Sequence, residues 1–314
     1  MKKIQGVFPV LCTPFSDNGD IVHKDFEAII DYVLACGASG CVYPGVASEV
    51  ETLTAIERRD LVALLGRRLD GRIPFIVGAS DPDPDAVIDR IQEGADSGAS
   101  VAMVIAPGNL GHDVAKHIAY FDKISKDTPL PVMLQNQPSP IGAGLTHQEI
   151  AEIATAIPAI QYVKEETLPC GQNLSLIKKA VGSAIVGVFG GAGARFLTDE
   201  LARGALGTMP ACELTDLHVE LVEAWNSGNT GKARDLFRLT LPVLNFQAVF
   251  RVRATKHVLS RRGVIANTGA RAKGMIPDQQ DMRELDSLLD QLASSFSIFQ
   301  LATSSRSGAT RDVE

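Results

Sequence analysis

Lys164 ends the run Ile160-Gln161-Tyr162-Val163, which is largely apolar, β-branched or aromatic, and it is followed at once by Glu165 and Glu166. An amine that emerges from the end of a buried strand loses hydration, and burial disfavours its charged form. A neutral amine attacks carbonyl carbon, so this stretch can carry Schiff-base chemistry. The plainer use of such a lysine is a strand-tip side chain that reaches solvent or pairs with a neighbouring glutamate. Alternation puts Glu165 and Glu166 on opposite sides, so at most one of them should approach the amine. If that one is Glu166, it can carry protons for a bound imine, and otherwise it is an ordinary exposed glutamate. Ser48 follows Gly45-Val46-Ala47, where its hydroxyl and backbone N–H can cradle a carboxylate or simply cap a helix. The glycines of Gly187 to Gly193 match neither a P-loop nor Gly-x-Gly-x-x-Gly, and are expected to let backbone approach a ligand.

These residues need a scaffold, and the apolar runs describe one. Short runs recur at residues 6–12, 40–43, 74–77, 101–105, 131–134, 160–164, 184–189 and 205–209, each followed by a loop and then helical periodicity. Helices are expected over 24–35, 85–95, 115–126, 146–156, 174–181, 194–203 and 215–225. Eight such units suit a (β/α)8 TIM barrel within residues 1–228 better than an open sheet. About three further helices, over 232–246, 248–261 and 280–294, form a C-terminal extension within 229–298, and 299–314 reads as a polar tail. In such a barrel the chemistry lies at the C-terminal strand ends. Lys164 sits at one of them, together with Thr13, the segment 45–49, Ser80, Asp81, the segments 107–109 and 135–138, Thr167 and the glycine loop. That place makes a nucleophile the stronger reading of Lys164.

Composition narrows the partners. The net charge is −7, and no basic cluster is longer than Arg261-Arg262, which argues against nucleic acid and anionic membrane and for a small molecule. No run of eighteen apolar residues is present to span a bilayer, and Pro9, Thr13 and Pro14 cut short any signal-like segment. Cys12, Cys36, Cys41, Cys170 and Cys212 are scattered and odd in number, which suits a reducing cytoplasm. The six histidines contain no pair at i, i+4, so no metal and no cofactor is expected.

Thr13-Pro14-Phe15, Gly45-x-x-x-Glu49, Gln135-Asn136-x-Pro138-Ser139 and Lys164-Glu165, followed by a glycine-rich loop, resemble in order and spacing the dihydrodipicolinate synthase and N-acetylneuraminate lyase family of class I aldolases. The resemblance covers about residues 5 to 295. It implies a barrel with C-terminal helices, a homo-oligomer (dimer or, most often in this family, tetramer), and a Schiff base between Lys164 and the C2 carbonyl of a 2-oxo acid.

Departures from the family pattern carry more information. The two hydroxyl positions after strand two are Val46 and Ala47, the tyrosine after strand five is Gln135, the synthase's carboxylate-binding arginine falls on Pro140, and a tyrosine pair after strand four is Gly108-Asn109. A glutamine amide cannot relay protons as a phenol does, so synthase activity is not expected. Gln135, Ser48-Glu49 and Lys164-Glu165-Glu166-Thr167 are similar to the L-2-keto-3-deoxyarabonate dehydratase branch. That likeness implies removal of water from a 2-keto-3-deoxy sugar acid. Lys164 would be the nucleophile, Glu166 the acid–base group and Gln135 an orienting amide. Ser48 with the N–H of Ala47 would hold the substrate carboxylate, and Phe189 and Gly190 would line its tail. Thr13, Asn136 and Thr167 are counted with them as substrate-binding residues. Aldol cleavage of a 4-hydroxy-2-oxo acid, deamination of a hydroxypyrroline carboxylate, a silent barrel that binds a 2-oxo acid without turnover and, least expected, a dihydrodipicolinate synthase-like reaction stay open.

Overall fold

The computed structural model describes residues 3–297; residue 298 and the tail from 299 lie outside the described residues. Eight parallel strands are hydrogen-bonded in the order β1-β8-β7-β6-β5-β4-β3-β2. They are β1 (Gly6–Val7), β2 (Cys41–Tyr43), β3 (Phe75–Gly78), β4 (Val101–Ile105), β5 (Val132–Asn136), β6 (Ile160–Glu165), β7 (Gly187–Gly190) and β8 (Gly207–Thr208). Val10 bridges both Val42 and Ala211, which draws β1 and β2 together and closes the circuit. The fold is thus a (β/α)8 barrel, as the strand spacing predicts.

The helices of the barrel are α1 (His23–Ala35), α2 (Ala55–Leu69), α3 (Pro84–Asp96), α4 (Val114–Lys126), α5 (His147–Ala156), α6 (Cys170–Val181), α7 (Leu197–Ala202) and α8 (Thr215–Asn226). Three more follow: α9 (Thr230–Phe250), α10 (Val252–Arg261) and α11 (Gln279–Leu292). Helix α2 has no counterpart among the expected helices, because its Glu-Arg-Arg-Asp and Gly-Arg-Arg segments dilute the apolar stripe. Its start signal is nevertheless in the sequence. Thr54 caps Glu57 N–H at 3.2 Å and Glu57 returns to Thr54 N–H at 2.9 Å, a reciprocal capping box. Helix α7 is shorter than the expected 194–203 because Gly193 and Ala194 adopt positive φ. Helix α9 runs past the expected end at 246, and Arg251, at φ 52°, separates it from α10.

Alternation along the strands builds two apolar layers. Phe8, Val42, Ile76, Met103, Met133, Tyr162, Phe189 and Met209 point inward and fill the barrel. Their neighbours Tyr43, Val77, Val104, Leu134, Val163 and Val188 point outward under the helices. A segment after α10 returns across the mouth. Asp25 accepts from the N–H groups of Ala266 and Asn267, and Gly269 bridges Phe15. Arg271 pairs with Glu57 at 2.7 Å and stacks over Phe15. The fully buried pair Lys256–Glu49, at 2.5 Å, ties α10 to the turn after β2, and the Ala272 N–H donates to the other oxygen of Glu49 at 2.6 Å.

Candidate active site

At the C-terminal strand ends the inward positions of β5, β6 and β7 fall in one row, because Gln135, Lys164 and Phe189 are successive register partners. Phe189 and Tyr162 form the apolar floor, with ring centroids 6.3 Å apart, and Phe8 meets Phe189 edge-on at 5.7 Å. Lys164 stands on this floor and is 4% exposed. Its Nζ lies 3.2 Å from Oε1 of Glu166. The second carboxylate oxygen of Glu166 accepts from Gln135 Nε2 at 2.6 Å, and the Ala192 N–H points at Oε1 from 3.4 Å. Burial alone would push the Glu166 carboxyl up; the Lys164 charge and hydrogen bonds from Gln135, Gln137 and Lys164 outweigh it and hold the carboxyl below its ordinary value. Glu166 is therefore the carboxylate that faces the amine, and it rests as an anion.

Glu165 turns the other way, as alternation requires. It accepts from Asn136 Nδ2 at 2.8 Å and from the backbone and hydroxyl of Thr167. Burial pushes its carboxyl up to about 7, against the pull of those hydrogen bonds.

Several expected mouth residues are spent elsewhere. Asn136 faces the helical layer, where it gives its amide to Leu145 O and Glu165 and accepts from Leu145 N. Thr167 holds Glu165 and takes a hydrogen bond from Asn173 at 2.8 Å. Both are engaged with Glu165 rather than with Lys164. The Thr13 hydroxyl donates to Ser48 O at 2.7 Å and meets Tyr43 Oη at 3.0 Å, so it fastens the turn after β2. The Ser48 hydroxyl donates to Leu11 O at 2.5 Å and accepts from Gly45 N–H, and the Ser48 N–H returns to Gly45 O. Its hydrogen is committed to the fold. The half-buried Ala47 keeps its N–H without a partner among the described residues. Phe189 lies inside the barrel as the floor, whereas Gly190 presents only backbone there, because its missing Cβ points outward at Glu200.

Two residues were not singled out from the sequence. Gln137, two positions beyond Gln135 and so on the same side by alternation, gives Glu166 a further hydrogen bond. Gly191 makes room for Glu166, since a Cβ there would lie 2.3 Å from its Cγ. The glycines of this loop thus admit carboxyl side chains rather than only a ligand.

An amine on an apolar floor, with one anionic carboxylate in contact and two amides steering that carboxylate, can form an imine and move protons around it. The family model for the dihydrodipicolinate synthetase family matches residues 3–292. The chain belongs to that family. Members of the family are lyases of the class I aldolase type, and so is this protein. Among family relatives, an L-2-keto-3-deoxyarabonate dehydratase of Azospirillum brasilense is 26% identical over 267 residues, covering 84% of this chain and 86% of that protein. A 4-hydroxy-tetrahydrodipicolinate synthase of Bacillus subtilis is 24% identical, covering 91% and 98%. A dihydrodipicolinate synthase structure from Rhodopseudomonas palustris superposes with a TM-score of 0.84 at 25% identity, covering 92% of this chain and 97% of that one. The family member YagE of E. coli, solved in complex with pyruvate, has the same fold, with a TM-score of 0.84 at 24% identity, covering 93% and 99%.

Proposed function

We propose that this lyase is a Schiff-base dehydratase of a 2-keto-3-deoxy sugar acid similar to L-2-keto-3-deoxyarabonate. The observation that carries the reading is the Gln135–Glu166–Lys164 chain of contacts, 2.6 and 3.2 Å long, at the place where synthases use a tyrosine. Glu166 takes a proton from the Lys164 ammonium, and the freed amine adds to the C2 carbonyl. The same proton leaves with the hydroxyl of the carbinolamine as water. Imine formation acidifies the C3 hydrogen, Glu166 removes it, and the resulting enamine expels the C4 hydroxyl, which Glu166 protonates as it leaves. Water then hydrolyses the imine and restores the amine. One carboxylate with a closed proton cycle suffices, and an amide that does not titrate is enough to aim it.

Gln135 orients Glu166 and the departing hydroxyl. The N–H of Ala47, left free in the turn after β2, takes the substrate carboxylate. Phe189 packs beneath the reacting carbons, and the Gly190 backbone borders the tail. The reading involves no metal or cofactor and places a dimer or tetramer in the cytoplasm. In support of a reducing compartment, all five cysteines are buried and unpaired. No helix among the described residues is long and apolar enough to cross a membrane.

Product analysis tests the assignment. Incubation with 2-keto-3-deoxy sugar acids is expected to release a dehydrated 2-oxo acid. Release of pyruvate would replace dehydration by aldol cleavage, and release of ammonia from a hydroxypyrroline carboxylate would replace it by deamination.

A further inference from the structure

A second polar row lies behind the first, on the side of the strand ends that faces the helices. Asn136, Glu165, Gly190 and Thr208 are register partners in turn across β5, β6, β7 and β8. Gly190 leaves a gap in this row, and Glu200 of α7 fills it: a Cβ on Gly190 would lie 2.0 Å from Glu200 Oε2. Glu200 is 0% exposed. Among the described residues neither of its carboxyl oxygens has a hydrogen-bond partner, and the buried hydroxyl of Thr208 beside Gly190 also lacks one. Ionised, a carboxyl so placed would be desolvated and unpaired, and the neutral form is the cheaper one.

The charged groups that face Glu200 are all acids: Glu166 from the loop after β6, Asp199 from α7 itself and, above about pH 7, Glu165 from β6, while the Cys170 thiol of α6, pushed up to about 12 by burial, is neutral. Asp199 is engaged by Arg203 at 2.9 Å, and no Lys or Arg pairs with Glu200 among the described residues.

We infer that Glu200 is a positioning residue for the Lys164–Glu166 pair, a neutral carboxylic acid that fills the gap at Gly190 and leaves Glu166 as the one carboxylate anion at the amine. The inference rests on the proposed Schiff-base chemistry. Burial, with Asp199, Glu166 and Glu165 acting in the same direction, pushes the Glu200 carboxyl up to about 8. Above that pH a further negative charge, added to that of Glu165, appears behind β6 and β7 and repels Glu166 from its place beside Lys164, which the proton transfers need.

The test is Glu200→Gln, which keeps the shape and the neutral charge at every pH. The ratio of variant to wild-type kcat is expected to rise several-fold between about pH 7 and about pH 9, either side of the Glu200 titration, with KM unchanged. A ratio that does not change with pH would overturn the inference, because loss of mere packing acts equally at all pH values. A second readout needs no turnover. Ionisation of a buried acid lowers wild-type stability as pH rises, so the unfolding midpoint of Glu200→Gln should gain on wild type between about pH 5 and about pH 8. A constant difference would also overturn the inference. Failure of the Schiff-base reading is a separate event: it would show as full activity in Lys164→Ala, whereas failure of the present inference leaves that variant inactive.

Discussion

At the scale of residues the chemistry depends on which side of a strand end each side chain takes. Gln135, Lys164 and Phe189 form the inward row, and Asn136 and Glu165 the outward one. Lys164 and its contact with a single glutamate were legible from the sequence, because alternation by two separates Glu165 from Glu166. The same rule turns Asn136 outward and puts Gln137 on the side of Gln135. For Thr13 and Ser48 no sequence rule would have served, since their partners Tyr43 and Leu11 are far along the chain. Glu166→Gln is expected to lower kcat by roughly a hundredfold or more while leaving KM within a few-fold, because only the proton carrier is lost. Steady-state kinetics with the dehydration substrate check this, and a near wild-type kcat would move the acid–base role elsewhere. Asn136→Ala separates scaffold from site. It strips partners from Leu145 and Glu165, so a loss of about 1–3 kcal/mol in denaturant unfolding is expected with KM unchanged.

At the scale of elements, strands with apolar β-branched cores and clear turn residues could be placed closely: β4 spans Val101–Ile105, the same residues as the expected run. The run 6–12 keeps only Gly6–Val7 as regular strand, because Pro9 has no N–H to give the ladder; single bonds continue past it, from Val42 N–H to Pro9 O at 2.9 Å and from Leu11 N–H to Val42 O at 3.1 Å. What no local pattern announces is the pairing of Lys256 with Glu49, 207 residues apart. That contact anchors the C-terminal helices to the turn that offers the Ala47 N–H, so the extension belongs to the site's framework. Both partners are fully buried, and Lys256→Met would leave an unpaired carboxylate in the interior. Such removal costs about 3–5 kcal/mol, so the variant should unfold at clearly lower denaturant. The double variant Glu49→Leu with Lys256→Met should recover much of the loss.

At the scale of the whole molecule, buried acids set the pH response. Burial pushes Glu165 and Glu213 up to about 7 and Glu200 up to about 8, from an ordinary value of 4.5. A carboxyl whose folded value is raised holds extra protons in the native state, so its contribution is complete below 4.5 and is lost as pH climbs to 7–8. His218 acts from the other side: burial lowers it from 6.5 to about 4, so the unfolded chain takes up the proton first and stability falls as pH drops below 6.5. Thermal unfolding is expected to show its highest midpoint on the acid side of neutrality and a decline toward about pH 8. A midpoint flat across that range would contradict the neutral state of these acids. Imine formation between Lys164 and a 2-oxo acid can be trapped by borohydride reduction in the presence of a 2-keto-3-deoxy sugar acid, followed by peptide mapping. A reduced adduct is expected on the Lys164 peptide and none in Lys164→Ala; absence of any adduct across a panel of 2-oxo acids, or an adduct on another lysine, would rule out Lys164 as the Schiff-base residue.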